Sequence, residues 1–170
     1  MEEQCVFCSI RDGKTPSYKV YEDDYVFAVL DIKPANPGHL LVAPKKHYPL
    51  ITQLTINEMA QLFSVARTMI PVILAATGAK GANIVHSAGP VAGQRSPHAF
   101  LNVIPRFEDD DVIISWKSKE MDEQQFRELQ KKIVSTLSEM GGQKPKAEEP
   151  KPEPKKEELY KVESRPAKYW

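Results

Sequence analysis

The apolar and polar positions divide the chain into short strands, two long helices and a tail with almost nothing to bury. Lys19–Asp31 holds two β-rich runs separated by an acidic turn, the pattern of a tight antiparallel hairpin. Pro34–Pro44 reads as a turn followed by a short buried strand that ends at a proline. Thr55-Ile-Asn-Glu58 then matches a capping box, and Met59, Leu62, Phe63, Ala66, Met69, Ile70 and Ile73 recur at helical spacing. This helix is predicted to run to about Thr77-Gly78, with a kink at Pro71. Two further strands, Asn83–Ala88 and Ala99–Ile104, are joined by the loop Gly89–Pro97. A helix packed on an antiparallel meander gives an α+β fold.

A second amphipathic helix begins near Asp122, where Asp122 and Gln125 have capping-box spacing and Phe126, Leu129, Ile133, Leu137 and Met140 form an apolar stripe. Gly141-Gly142 stop it. Gln143–Glu158 is Pro, Glu and Lys, too poor in apolar side chains to offset the entropy of ordering, and is expected to be a mobile linker. Leu159-Tyr-Lys-Val162 and Tyr169-Trp170 restore apolar character at the end, so this tail either docks on the domain or a partner, or is a disordered terminus. The expected organisation is a folded domain over 1–110, a helical extension over 111–142 and a linker with apolar tail over 143–170.

Composition narrows the function. Lys+Arg and Asp+Glu number 23 each in 170 residues, so no net basic field draws the chain to nucleic acid or an anionic membrane. No stretch approaches the roughly 20 apolar residues of a membrane span, and Met1-Glu-Glu-Gln lacks the regions of a signal peptide, so a soluble cytoplasmic protein is expected. Two cysteines in such a chain point away from a disulfide scaffold. Cys5-Val-Phe-Cys8 is a common zinc half-site; the alternatives are a pair of reduced thiols or a redox motif, the last weakened because no strand precedes it.

The segment Ala92–Phe107 carries the most chemistry. On a strand, side chains two apart share a face, so His98, Phe100 and Asn102 line up together. Three imidazoles there would make a reactive patch. This chain offers one.

Four segments, Cys5–Ile10, Asp31–His47, Asn83 with Gly89–Gln94, and Ile104–Phe107, taken in order, resemble the histidine-triad (HIT) family of nucleotide hydrolases and transferases over about residues 3 to 110. The resemblance implies a histidine-triad fold, an antiparallel sheet of about five strands with a long helix, usually assembled as a homodimer. In the family this strand reads His-x-His-x-His, and its middle histidine attacks the α-phosphorus of a nucleotide. Imidazole suits that step because its pKa near 6.5 leaves a lone pair available at neutral pH. Here that position is Phe100, which has neither lone pair nor titratable proton. The third histidine, a phosphate contact, is Asn102, able to hydrogen-bond but not to carry charge. Arg95 stands where a small or apolar residue is usual, and is either a replacement anion contact or a solvated loop residue.

The same resemblance implies further sites. Some members hold zinc through residues corresponding to Cys5, Cys8, His47 and His98, a closed tetrahedral shell with no position for substrate water. A purine nucleotide or dinucleotide would meet apolar groups at Phe7, Ile10, Phe27 and Ile32, ribose would meet Asp31, and phosphate would meet Asn83, Gly93, Gln94 and the triad position of Asn102, with Arg95, a departure from the family, as a further candidate nucleotide contact. Phe27 and Ile32 read equally as core, and Asp31 as a turn residue. His39 is expected to be structural or superficial; His86, on the strand entering the loop, could face the site, but as a displaced nucleophile it would need its own orienting partner. The leading expectation is a zinc-stabilised nucleotide binder that has lost covalent transfer. The rivals are a hydrolase using direct water attack and a protein interaction module.

Overall fold

The computed structural model describes residues 5–141, so the linker and tail over 143–170 lie outside the described residues. The chain divides into two units, Met1–Val112 and Ile113–Trp170. In the first, a six-residue helix α1 (Val6–Arg11) precedes the hairpin β1 (Lys19–Glu22) and β2 (Val26–Leu30), followed by β3 (Leu40–Pro44), the long helix α2 (Ile56–Thr77), β4 (Gly81–Val85) and β5 (Leu101–Arg106). The strands form one antiparallel sheet in the order β1-β2-β3-β5-β4. The α+β architecture and five-stranded sheet agree with the sequence expectation. The short α1 does not announce itself in the sequence, because six residues are too few to establish a period.

Alternation along β2, β3 and β5 sorts their side chains between two cores. Val26, Ala28, Leu40, Val42, Leu101 and Val103 face α2, which returns Leu62, Val65, Ala66, Met69 and Ile73. Each such burial contributes roughly 1.5–3 kcal/mol for the larger side chains. By length and composition α2 is apolar enough to cross a membrane, yet these five residues are the wall of a sheet-packed core. The opposite face carries Phe27, Val29 and Ala43, which pack with Cys5, Phe7 and Cys8 of the α1 segment, with Ile10, Leu41 and Phe100 alongside.

The α2 start follows the predicted box: Thr55 Oγ1 accepts from the Glu58 N–H, while the Glu58 carboxylate accepts from the Thr55 N–H at 2.9 Å. Its end is Gly78 at φ 74°, the left-handed conformation a glycine tolerates. Pro71 lies inside the helix without ending it; its side chain is exposed, so water can serve the carbonyl its missing N–H leaves open.

A polar clasp holds the end of β5. Arg106 donates to both Asp110 oxygens at 2.8 and 2.7 Å and to Asn83 Oδ1 at 2.7 Å. Asn36 donates to the Pro105 carbonyl and to Asp110. The Arg106 guanidinium holds the Asp110 carboxyl well below the usual carboxylate range.

In the second unit, α3 (Glu123–Glu139) starts at its predicted cap: Asp122 accepts from the Gln125 N–H at 2.8 Å and Gln125 Oε1 accepts from the Asp122 N–H at 2.9 Å. None of its residues is buried.

Candidate functional site

Cys5 is the residue that caps α1 and Cys8 lies one turn on, so both sulfurs leave the same side of the helix. His47 follows β3 and His98 precedes β5, and these two strands are neighbours. The four ligand atoms converge within 4.8 Å of one another. Cys5 Sγ is 3.4 Å from His98 Nδ1, Cys8 Sγ is 3.3 Å from His47 Nδ1 and 3.8 Å from His98 Nδ1. A zinc tetrahedron with Zn–S of about 2.3 Å and Zn–N of about 2.0 Å has S–N edges of about 3.5 Å, and the observed separations suit it. The tautomer suits it as well. His98 Nε2–H donates to the Pro44 carbonyl at 2.9 Å, leaving the Nδ1 lone pair directed at the sulfurs, the outer hydrogen bond that orients metal-ligating imidazoles. All four predicted metal ligands are therefore brought together, three of them buried and His47 half-buried.

Phe100 lies against this cage. Its ring is 4.7 Å from that of Phe7, whose ring in turn is 5.2 Å from His98. Where the family pattern has its nucleophilic histidine, the side chain belongs to an aromatic cluster.

Asn102 is engaged at both ends of its amide. Its Oδ1 accepts from His39 Nε2 at 3.1 Å and its Nδ2 donates to the Val85 carbonyl at 3.2 Å. The donor assignment follows from the other ring atom, since His39 Nδ1 accepts from the Ala35 N–H at 3.2 Å and so bears the lone pair. Asp31 Oδ2 lies 3.6 Å from that Nδ1, and Asp31 Oδ1 accepts from the Lys33 N–H. Burial lowers the His39 pKa, with the Asp31 charge and the Asn102 hydrogen bond opposing it. The result is a hydrogen-bonded His39–Asn102 pair with the Asp31 carboxylate close by. His39, expected to be structural or superficial, is a buried member of this group. The signal was available: His39, Leu41 and Ala43 share strand parity, and Leu41 pairs with Asn102.

The Gly89–Pro97 loop is held by its own groups and by one hydrogen bond to the carbonyl of Pro49. Gln94 Oε1 accepts from the Gly89 N–H, and Gln94 Nε2 donates to the carbonyls of Pro49 and Ser96. The Gly93 N–H donates to Pro90 and the Gln94 N–H to Gly89. These groups hold the loop rather than standing open to a ligand. Gly93 sits at φ 90°, and a Cβ there would meet Ser87 Oγ at 3.8 Å, a loop neighbour that sequence reasoning passed over. Arg95 is exposed.

Three predicted contacts sit in differing surroundings. Phe27 is 0% exposed and is core, with no surface for a base. Ile32 is 76% exposed, an apolar side chain left uncovered beyond the end of β2. Asn83 gives its amide oxygen to Arg106 in the clasp. Phe7 is buried in the cluster and Ile10 packs half-buried beside it. His86 Nδ1–H donates to the Phe100 carbonyl at 2.9 Å, while Nε2 is shielded from solvent and has no hydrogen-bond partner among the described residues. That imidazole does have an orienting partner, but its lone pair is closed to an incoming phosphate.

Residues 12–109 match the model of the HIT domain. The chain belongs to the HIT family. It is 39% identical over 122 residues to an uncharacterised HIT-like protein of Methanocaldococcus jannaschii, covering 70% of this chain and 94% of that one. It is 35% identical over 121 residues to an adenylylsulfatase of Arabidopsis thaliana, covering 71% of this chain and 60% of that protein. Among solved structures, a zinc-bound histidine-triad family protein of Mycobacterium smegmatis aligns with a TM-score of 0.63 at 30% identity, covering 82% of this chain and 99% of that one. The HIT match begins after Cys5 and Cys8, so the half of the metal cage on α1 is contributed from outside the matched region.

Proposed function

We propose that this HIT protein is a cytoplasmic, homodimeric nucleotide binder, stabilised by zinc on Cys5, Cys8, His47 and His98, that has lost covalent nucleotidyl transfer. The observation that carries the reading is Phe100. At the position where the family resemblance calls for a nucleophilic imidazole, the ring stacks 4.7 Å from Phe7. No pKa tuning makes a phenyl ring a nucleophile, and loss of the covalent route costs several orders of magnitude in rate. Asn102 supports the same reading, because its carbonyl oxygen and one of its N–H donors are already held by His39 and Val85. A bound zinc would supply structural cross-linking and no activated water, since four protein ligands close its shell.

The ligand in this reading is a purine nucleotide or dinucleotide. Its ribose would meet Asp31, whose side chain is partly exposed, and its phosphates would meet Arg95, which is exposed. The adenylylsulfatase among the relatives is in keeping with an adenylyl-containing ligand.

The test is calorimetry with AMP, GMP and dinucleoside polyphosphates on the native chain, followed by turnover assays on Phe100→His/Asn102→His. Binding below millimolar by the native chain, with negligible turnover, is expected. The double variant is expected to gain adenylyl hydrolysis through a trappable covalent intermediate. Absence of binding at millimolar ligand removes the nucleotide reading, and steady turnover by the native chain removes the loss of activity in favour of direct water attack.

A further inference from the structure

The residues at positions 100 and 102 take charge from the site as well as a nucleophile. Leu41 stands opposite Asn102 in the β3–β5 ladder, and strand parity puts Phe100, Leu41 and Asn102 on the α1 side of the sheet. Phe100 and Leu41 are only partly covered by the apolar cluster around α1, and Asn102 is half-buried. A ligand laid on this face from Asp31 would meet an apolar floor with one amide in it. That amide has one donor to spare. Its Oδ1 is held by His39 and one N–H by the Val85 carbonyl, which leaves the second N–H, a neutral donor suited to a hydroxyl oxygen.

A 5′-phosphate carries up to two negative charges, and cations or N–H groups aimed at it must offset its desolvation. The candidates here are engaged or screened. His39 is held neutral by geometry, because its Nδ1 accepts from the Ala35 N–H and would lose that bond on protonation. Burial lowers its pKa in the same direction. The Asp31 carboxylate lies 3.6 Å from that nitrogen and adds a negative charge of its own. In the loop, the N–H groups of Gly89, Ala92, Gly93 and Gln94 are spent on Gln94 Oε1 and on the carbonyls of Gly89 and Pro90. His86 Nε2 and Ser96 Oγ are closed to solvent. Lys33 and Arg95 are exposed, where water and salt screen their charge. Taking the base and ribose contacts of the proposed nucleotide site as they stand, we infer that the preferred ligand is a purine nucleoside with an uncharged 5′ position. Its 5′ carbon lies against the Phe100 ring, and its 5′ oxygen accepts from Asn102. A ligand without phosphorus gives a histidine nothing to attack, so Phe100 and Asn102 together describe one change of ligand.

Calorimetry on the full chain with adenosine, 5′-methylthioadenosine and AMP, at physiological ionic strength, tests the preference. Adenosine and 5′-methylthioadenosine are expected to bind about tenfold more tightly than AMP, the phosphate being the only part of AMP that the floor does not match. In Phe100→His/Asn102→His the order is expected to reverse, because imidazole at these positions restores donors that can carry charge. Metal content equal to that of the native chain serves as the folding control for the variant. AMP binding as tightly as adenosine, or more tightly, to the native chain overturns the uncharged 5′ position and leaves the nucleotide reading standing. An unchanged order in a variant that keeps its metal also overturns it, since the preference would then not arise at positions 100 and 102. Binding of none of the three at millimolar concentration removes the base and ribose contacts, and both readings with them.

Discussion

His39 shows how one buried imidazole can be fixed by its partners rather than by its own basicity. Its Nδ1 accepts from Ala35 and its Nε2 donates to Asn102, so protonation would cost the Ala35 hydrogen bond and place a cation in a buried site. Burial is the largest cause of its lowered pKa and the Asp31 carboxylate is the main opposing one. The imidazole is therefore neutral at pH 7, and the sign of its effect on stability follows. The unfolded chain binds the proton first as pH falls, so stability is complete above the ordinary histidine range near 6.5 and declines as pH drops through it towards the folded value. An NMR titration should place the His39 transition below that of a free histidine. In Asp31→Asn it should fall further, because the one nearby charge favouring the cation is gone. A rise on that substitution would show that Asp31 does not act on His39.

The strands and helices were legible because their signals are local. The Thr55/Glu58 and Asp122/Gln125 boxes, the acidic hairpin turn and the strand of Leu40–Pro44 each depend on neighbours a few residues apart. Half of the metal cage was legible for a related reason, since Cys-x-x-Cys is a local zinc half-site; His47 and His98, distant in sequence, follow only from the family resemblance. The uses of polar side chains were less so. Asn83 and Gln94 look like ligand contacts in sequence, but Arg106 takes the amide oxygen of one, and the Gly89 N–H with the carbonyls of Ser96 and Pro49 take the other, through pairings 2 to 45 residues apart. Likewise Phe27 and Ile32, five residues apart, separate into full burial and full view of solvent at the end of β2. The clasp around Asp110 is the structural outcome of those competing claims. Asp110→Ala removes acceptors from Arg106, Asn36 and the Phe107 and Val112 N–H groups. With Arg106 about a quarter exposed, solvent recovers part of the loss, and a cost of about 2–3 kcal/mol is expected. A urea midpoint lowered at unchanged slope checks it, whereas a shift within 0.5 kcal/mol, on the order of a neutral surface change, would make the clasp incidental.

At the scale of the first unit, the metal cage ties α1 to the sheet at the point where the sheet's second face would otherwise be open. Cys5 and Cys8 come from the α1 segment, His47 from beyond β3 and His98 from the approach to β5, so one ion would join parts of the chain up to 93 residues apart. The same segment carries Phe7 against Phe27, His98 and Phe100. Loss of the ion should therefore be felt beyond its ligands, in the aromatic cluster that holds Phe100. An ion that binds the folded state alone stabilises by RT ln(1 + [L]/Kd), which is about 4 kcal/mol at a thousandfold excess over Kd. The native chain purified without chelator should carry stoichiometric zinc and lose several degrees or more of Tm on treatment with a strong chelator. Cys8→Ser should show the low Tm from the start and gain little from added zinc. Because His98 Nε2–H is anchored on Pro44 independently of the metal, the sheet itself should persist, with far-UV circular dichroism nearly unchanged and the near-UV signal of the aromatic cluster around Phe7 diminished. Equal near-UV spectra with and without zinc would show that α1 is held by its apolar contacts alone and that the four ligands are not a structural joint.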